Sequence, residues 1–271
     1  MKTVILFLLS FTYSSLLFSA PTVTDNHIKT DQFGYRTTDK KFAVISNPVT
    51  GYNNNEPYSP GSTFQIRKWD SDSVVFSGSL FIWNAGNTHI QSGDKVWWFD
   101  FSGLTLPGTY YVFDVANNKG SYKFEINDLV YREVLLKTFK AFYYQRCGCA
   151  KNLPYAQTGW TDTECHKGSL QDTDCRLYNN NIPANSKDLS GGWHDAGDYN
   201  KYVNFAFEPM MDLLLAYSEN KTVWTDDFNI PESGNGIPDI LDEVKYELDW
   251  LLKMQNTNGS VLSIVGVTNF G

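Results

Sequence analysis

Asp195 and Asp198 stand close together in the segment Gly191-Gly192-Trp193-His194-Asp195-Ala196-Gly197-Asp198-Tyr199-Asn200-Lys201-Tyr202-Val203, with only Ala-Gly between them. Two carboxylates at that spacing converge on one point if the chain turns tightly, and Gly197 supplies backbone freedom for the turn. Close carboxylates disfavour one another's ionised form, a property that suits acid/base catalysis. The spacing also admits a plainer role for Asp198, as the cap of a following helix. Upstream lie Cys147, Cys149, Cys165 and Cys175, with His166 directly after Cys165 and His194 directly before Asp195.

These residues need a scaffold, and the flanking sequence predicts a helical one. After Asn127 apolar residues recur at three and four positions (Leu129, Val130, Val134, Leu135, Phe139, Phe142), with Asn127 or Asp128 placed as the cap. A loop rich in Asn, Asp, Cys and Gly runs from Gly148 to Asp198. Helical pattern returns from about Tyr202 to Tyr217, where Pro209 predicts a kink or a division. A third stripe joins Ile237, Ile240, Leu241, Val244, Leu248, Leu251 and Leu252, with Pro238 near the first turn. Asp242, Glu243, Glu247 and Asp249 lie mostly off that stripe.

The first half has another rhythm. Phe42–Ile45, Thr63–Ile66, Val74–Phe76, Val96–Phe101, Tyr110–Phe113 and Tyr122–Ile126 are β-branched or aromatic runs separated by turn residues such as Pro60-Gly61, Pro107-Gly108 and Asn117-Asn118. Six or seven short strands over about 100 residues predict a two-sheet sandwich of immunoglobulin type, here without the inter-sheet disulfide. The expected fold class is multidomain: residues 21–126 as the sandwich, then a helical region over 127–271.

The chain has 271 residues and a formal net charge of −8, with 15% aromatic residues. An acidic chain without a basic cluster argues against nucleic acid or an anionic membrane surface as partner. The flat rings suit core packing and stacking on sugars. Met1-Lys2 followed by the apolar run Val4–Leu9, fading through Phe18-Ser19-Ala20, predicts a signal peptide over residues 1–20. The expected location is therefore extracellular, with no membrane association after cleavage. In an oxidising compartment four cysteines ordinarily form disulfides, here with three pairings to choose from.

The segment 191–203 closely resembles the signature of glycoside hydrolase family 9, the inverting cellulases. Phe142-Tyr143-Tyr144-Gln145-Arg146-Cys147-Gly148 looks like the end of the family's first barrel helix. Gly234–Val244 and Glu247–Gln255 look like its third. Asp31-Gln32-Phe33-Gly34-Tyr35 and Pro107-Gly108-Thr109-Tyr110-Tyr111 resemble the immunoglobulin-like module that precedes some family catalytic domains.

The resemblance implies an all-α six-hairpin (α/α) barrel, of which 127–271 would be the first part. It also implies hydrolysis of internal β-1,4-glucosidic bonds with inversion. On that pattern Asp198 is the general base and Asp195 helps to hold the attacking water. The family's acid, a Glu in the C-terminal part of the barrel, is not matched by any Glu here. The expectation is a fragment of a longer endoglucanase that is inactive alone. Trp193, Tyr199 and Tyr202 flank the loop as candidate sugar-stacking residues.

Two metals are expected and no organic cofactor. Cys147, Cys165, His166 and His194 offer two thiolates and two imidazoles, the donor set of a closed, structural zinc site, a layout that some family members resemble. A Cys147–Cys165 disulfide is the competing assignment, and Cys149 and Cys175 are left as a disulfide or as free thiols. Glu232, Asn235 and Asp239 offer oxygen ligands for calcium, which family members often bind, against a simple helix-entry loop. Two other function classes remain in view. One is a non-catalytic glucan-binding or remnant protein. The other is a hydrolase in which His194, Asp195 and Asp198 ligate a catalytic ion.

Overall fold

The computed structural model describes residues 24–266; the expected signal peptide and the last five residues lie outside this range. The chain divides into two units, Met1–Arg132 and Glu133–Gly271.

In the first unit, nine strands form two antiparallel layers. One sheet has the order β1-β2-β6-β5, from Ile28–Lys29, Phe42–Pro48, Asp94–Asp100 and Phe81–Ile82. The other has the order β4-β3-β7-β8, from Val74–Gly78, Phe64–Lys68, Gly108–Asp114 and Lys119–Gly120, with β9 (Phe124–Ile126) also paired to β7. Alternation selects the inner faces. Ala43 and Ile45, Phe64 and Ile66, Phe99 and Phe101, and Tyr110 and Val112 share one buried cluster. All six predicted runs contain a strand, so the sandwich expected from them is the one observed. Buried Asp114 ties two connections to it by accepting from Tyr58 Oη at 2.7 Å, Gly61 N at 2.9 Å and Asn117 Nδ2 at 2.8 Å.

The second unit is built on α1 (Arg132–Gln145), α2 (Phe207–Glu219) and α3 (Asp239–Met254), with a two-stranded ribbon of β10 (Lys201–Tyr202) and β11 (Ile264–Val265). Phe139, Tyr143, Met210, Leu213, Ile240 and Val244 bury one cluster among the three helices. None of the described helices is long and apolar enough to cross a membrane.

Three helix expectations are corrected. Helix α1 starts at Arg132, because the supposed caps are engaged elsewhere. Asn127 Oδ1 accepts Leu129 N at 2.9 Å in a tight turn, and Asp128 accepts both the amide and the hydroxyl of Thr37. Pro209 neither kinks nor divides α2, because it sits in the first turn, where its missing N–H has no helical acceptor to lose. Tyr202 belongs to strand β10 instead. In α3 the residues off the stripe divide: Asp242, Glu243 and Glu247 are buried and Asp249 is exposed, whereas Leu252 of the stripe is 70% exposed.

Candidate active site and metal centre

The loop 191–203 is fixed from two sides. Beyond the end of α1, Cys147 N donates to Gly192 O at 2.7 Å and His194 N donates to Gln145 O at 2.9 Å, an antiparallel bridge centred on Arg146 and Trp193. From α3, Glu247 Oε2 accepts Trp193 N at 2.7 Å and Glu243 Oε1 accepts the indole Nε1–H at 2.8 Å. Gly192 has φ +74°, and a Cβ there would lie 2.7 Å from the Trp250 ring, so only glycine lets the loop lie this close to α3.

The chain then folds back on itself. Tyr199 N donates to Ala196 O at 3.0 Å, and Asp195 N donates to Asn200 O at 2.8 Å. The turn's left-handed residue is Tyr199, at φ +60°, not Gly197. Gly197 borders open space, so the freedom expected of it is not what shapes the turn.

Asp195 and Asp198 are both exposed on this turn. Asp198 Oδ2 accepts Asn200 Nδ2 at 2.7 Å and Oδ1 accepts Asn200 N at 3.2 Å, so a fully buried side chain aims an exposed carboxylate. Asp198 caps no helix, since β10 lies between it and α2. Asp195 lines a cleft of about 190 Å³ together with Phe142, Gln145, His194, Tyr202, Phe205 and Glu247.

Of the three aromatic candidates, Trp193 borders the cleft but is the most buried. It is 7% exposed, packs on Phe142 with ring centres 5.1 Å apart, and gives its N–H to Glu243. Tyr199 is exposed, and Tyr202 reaches the cleft beside Phe205.

The Cys and His residues gather below the turn. One ligand atom from each of Cys147, Cys165, His166 and His194 lies within 4.8 Å of all the others. His194 Nε2 is 3.6 Å from Cys165 Sγ, and its Nδ1 is 3.0 Å from Tyr199 O. The carbonyl fixes Nδ1 as the protonated nitrogen and leaves Nε2 as the free lone pair, the arrangement that a metal-bound imidazole needs. His166 Nδ1 is buried without a hydrogen-bond partner, so a polar atom is orphaned beside this donor set. Burial pushes the Cys147 thiol up and His194 down, so the imidazole is kept neutral and the sulfur is kept protonated in the absence of a compensating cation. The donor set fits zinc. All four cysteines are unpaired, so neither expected disulfide is formed. Asp195 and Asp198 belong to no such cluster among the described residues, so the structure does not gather them with His194 around one ion.

The oxygen-rich loop differs from expectation in its members. Glu232 turns away to Arg146 Nη1 at 2.9 Å, and the exposed Asn235 donates to Asp242 at 3.1 Å. The carboxylates that do gather, within 4.8 Å, belong to Asp226, Asp239 and Asp242. Asp239 Oδ2 accepts Phe228 N at 2.6 Å and Ser233 Oγ at 2.7 Å, while its buried Oδ1 has no partner. Burial raises both Asp239 and Asp242 above the usual carboxylate range.

Sequence reasoning passed over the residues that hold all this together. Arg146 is buried against Glu243 at 3.0 Å and Glu232 at 2.9 Å. Burial alone would lower its guanidinium; the two carboxylates push it above its ordinary range instead. Glu247, 1% exposed, is pushed up to about 7 by burial, against the Trp193 hydrogen bond and the charge of Lys201. Lys201 itself is buried and donates to Leu189 O and Gly191 O at 2.9 and 2.7 Å. The available signal was Glu243 and Glu247 one helical turn apart, beside Ile240, Val244 and Leu251 in the stripe.

Residues 131–270 match the family described as glycosyl hydrolase family 9, and residues 23–127 match the cellulase N-terminal immunoglobulin-like domain. The chain belongs to glycosyl hydrolase family 9. It is 32% identical over 261 residues to Endoglucanase D of Acetivibrio thermocellus, covering 93% of this chain and 38% of that protein. Among solved structures, it superposes on a metagenome-derived family 9 endoglucanase with a TM-score of 0.70 and 33% identity, covering 88% of this chain and 42% of the other. A zinc-binding triple mutant of the family 9 endoglucanase J30 gives 0.66 and 32%, covering 84% and 40%. The chain thus spans about two fifths of the length of the relatives it matches.

Proposed function

We propose that this chain supplies the water-activating side of a secreted, inverting endo-β-1,4-glucanase. The observation that carries the reading is the Asp195–Asp198 turn, with Asp198 aimed by buried Asn200 and Asp195 set on the adjoining cleft. In an inverting reaction the base takes a proton from water as the oxygen attacks the anomeric carbon, and an acid protonates the departing oxygen. The two carboxyls stand roughly 6.5–9.5 Å apart to admit the water. Asp198 is the base and Asp195 orients the water. Tyr199 and Tyr202 line the sugar path. The protonating Glu is assigned to the part of the family (α/α) barrel that lies beyond the residues matched here.

Cys147, Cys165, His166 and His194 would hold a zinc ion, which supplies rigidity under the turn rather than chemistry. Asp226, Asp239 and Asp242 would hold calcium at the entry of α3, with the orphaned Asp239 Oδ1 as the strongest pointer.

The test is stereochemical. A preparation of the full-length protein acting on a soluble β-1,4-glucan should give the α-anomer first, as read by proton NMR during the early reaction. A β-anomer as first product would refute the single-displacement reading.

A further inference from the structure

We propose that Glu243 and Glu247 are the positioning residues of the catalytic turn, holding Trp193 by both of its N–H groups and thereby fixing where Asp195 emerges. The proposal rests on the reading of Asp195 and Asp198 given above.

Trp193 has two donors, and each ends on a different carboxylate of one helix. The amide meets Glu247 at 2.7 Å and the indole meets Glu243 at 2.8 Å. The two glutamates are four residues apart on α3, so they face the same way, and a continuous helix sets their separation. Both are almost fully buried. Charged groups in such a place are costly, and apolar side chains of similar size would pack there with less penalty. What apolar groups cannot do is accept two N–H bonds at a fixed spacing.

Glu243 is braced in turn. Arg146 Nε lies 3.0 and 3.2 Å from its two oxygens, and Arg146 extends from the end of α1, in register with Trp193 across the bridge. The amides of Trp193, His194 and Asp195 are each committed, to Glu247, Gln145 O and Asn200 O respectively. Two residues separate Trp193 from Ala196, so a shift of the tryptophan carries directly into the turn. Glu247 also borders the cleft, but both glutamates spend their nearest oxygens on Trp193, and their effect on the turn passes through it.

Amide hydrogen exchange of the full-length protein tests this without relying on catalysis. Glu247→Leu should speed exchange across residues 193–198 by about a hundredfold and leave the sandwich strands unchanged. Glu247→Gln keeps a carbonyl acceptor and should return exchange to within about threefold of the parent. If the leucine variant does not fold, Trp193→Phe, which removes the indole donor and trims the ring, should speed exchange in the same segment about tenfold. Wild-type protection of 193–198 in Glu247→Leu, or in Trp193→Phe where that variant stands in, would overturn the proposal. So would equal loss in the glutamine and leucine variants. An acceleration spread evenly over the chain would also overturn it, as the mark of general destabilisation. In the full-length enzyme the leucine variant should lower kcat at least tenfold with KM changed less than twofold. Should Asp198→Asn keep full activity while the exchange results hold, the base assignment fails and the clamp stands.

Discussion

Lys201 Nζ lies 2.6 Å from Asp172 Oδ2, an ion pair in which both side chains are at least nine-tenths buried. The same Asp172 oxygen accepts Cys147 Sγ at 3.1 Å. One carboxylate therefore joins the cysteine loop to strand β10, immediately after the catalytic turn. Removing one partner strands the other charge in the interior, which costs far more than the pair contributes. Lys201→Met should lower unfolding free energy by about 3–5 kcal/mol in chemical denaturation. Adding Asp172→Asn should restore part of that loss; a double variant as weak as the sum of the two singles would show that they do not act together.

Asp198→Asn preserves shape and one of the two bonds accepted from Asn200 while removing the proton acceptor. In the full-length enzyme it should cut release of reducing ends from soluble β-glucan about a thousandfold, with the melting temperature almost unchanged. Activity within tenfold of the parent would exclude Asp198 as the base.

Glu247 gives a signed pH dependence. Its acidity in the folded protein is pushed up to about 7 from an ordinary 4.5. Between those values the folded state keeps a proton that the unfolded chain has released, so this group's contribution is fully present below about pH 4.5 and is lost as pH rises through 7. Over that window the loss is roughly 3 kcal/mol. Glu247→Gln should lack it, and should gain on the parent between pH 4.5 and 7.5 when both are unfolded in urea. Parallel stability curves would show that Glu247 ionises normally.

Zinc content should be one ion per chain by elemental analysis, and Cys165→Ser or His194→Ala should abolish it. Cys149→Ser and Cys175→Ser should leave it intact. Because the ion is assigned to structure, a chelator should lower the melting temperature and activity together. Immediate loss of activity at full stability, reversed at once by zinc, would point to a catalytic ion.

The sandwich could be read from sequence because strands of period two with Pro-Gly and Asn-Asn turns between them carry their fold locally, as at Tyr110–Phe113 and Pro107-Gly108. The close carboxylates Asp195 and Asp198 and the Cys and His donors were legible through residue type and spacing, whereas the role of base assigned to Asp198 came from the family resemblance. What escaped was the support. Glu243 and Glu247 read only as residues off the apolar stripe, because a pattern of apolar residues cannot show that Arg146, 97 residues away, arrives to neutralise one of them. The double anchoring of Trp193 escaped for the same reason: nothing near it in sequence shows both its donors facing inward. Tyr199 took the left-handed position expected of Gly197 because its carbonyl is needed by His194.

The bridges that fix the catalytic turn span long stretches of chain: Trp193 to Glu247 crosses 54 residues, and Lys201 pairs with Val265 on β11. A ribosome that has just made Asp198 has thus made both carboxylates but none of the helix that sets their position. Closing loops of this length follows, rather than leads, local helix formation. During synthesis the turn stays unset until α3 and β11 have emerged, so the chemistry is assembled by the part of the chain that carries none of it. A nascent chain arrested before Asp239 should show no protection at the Trp193 amide.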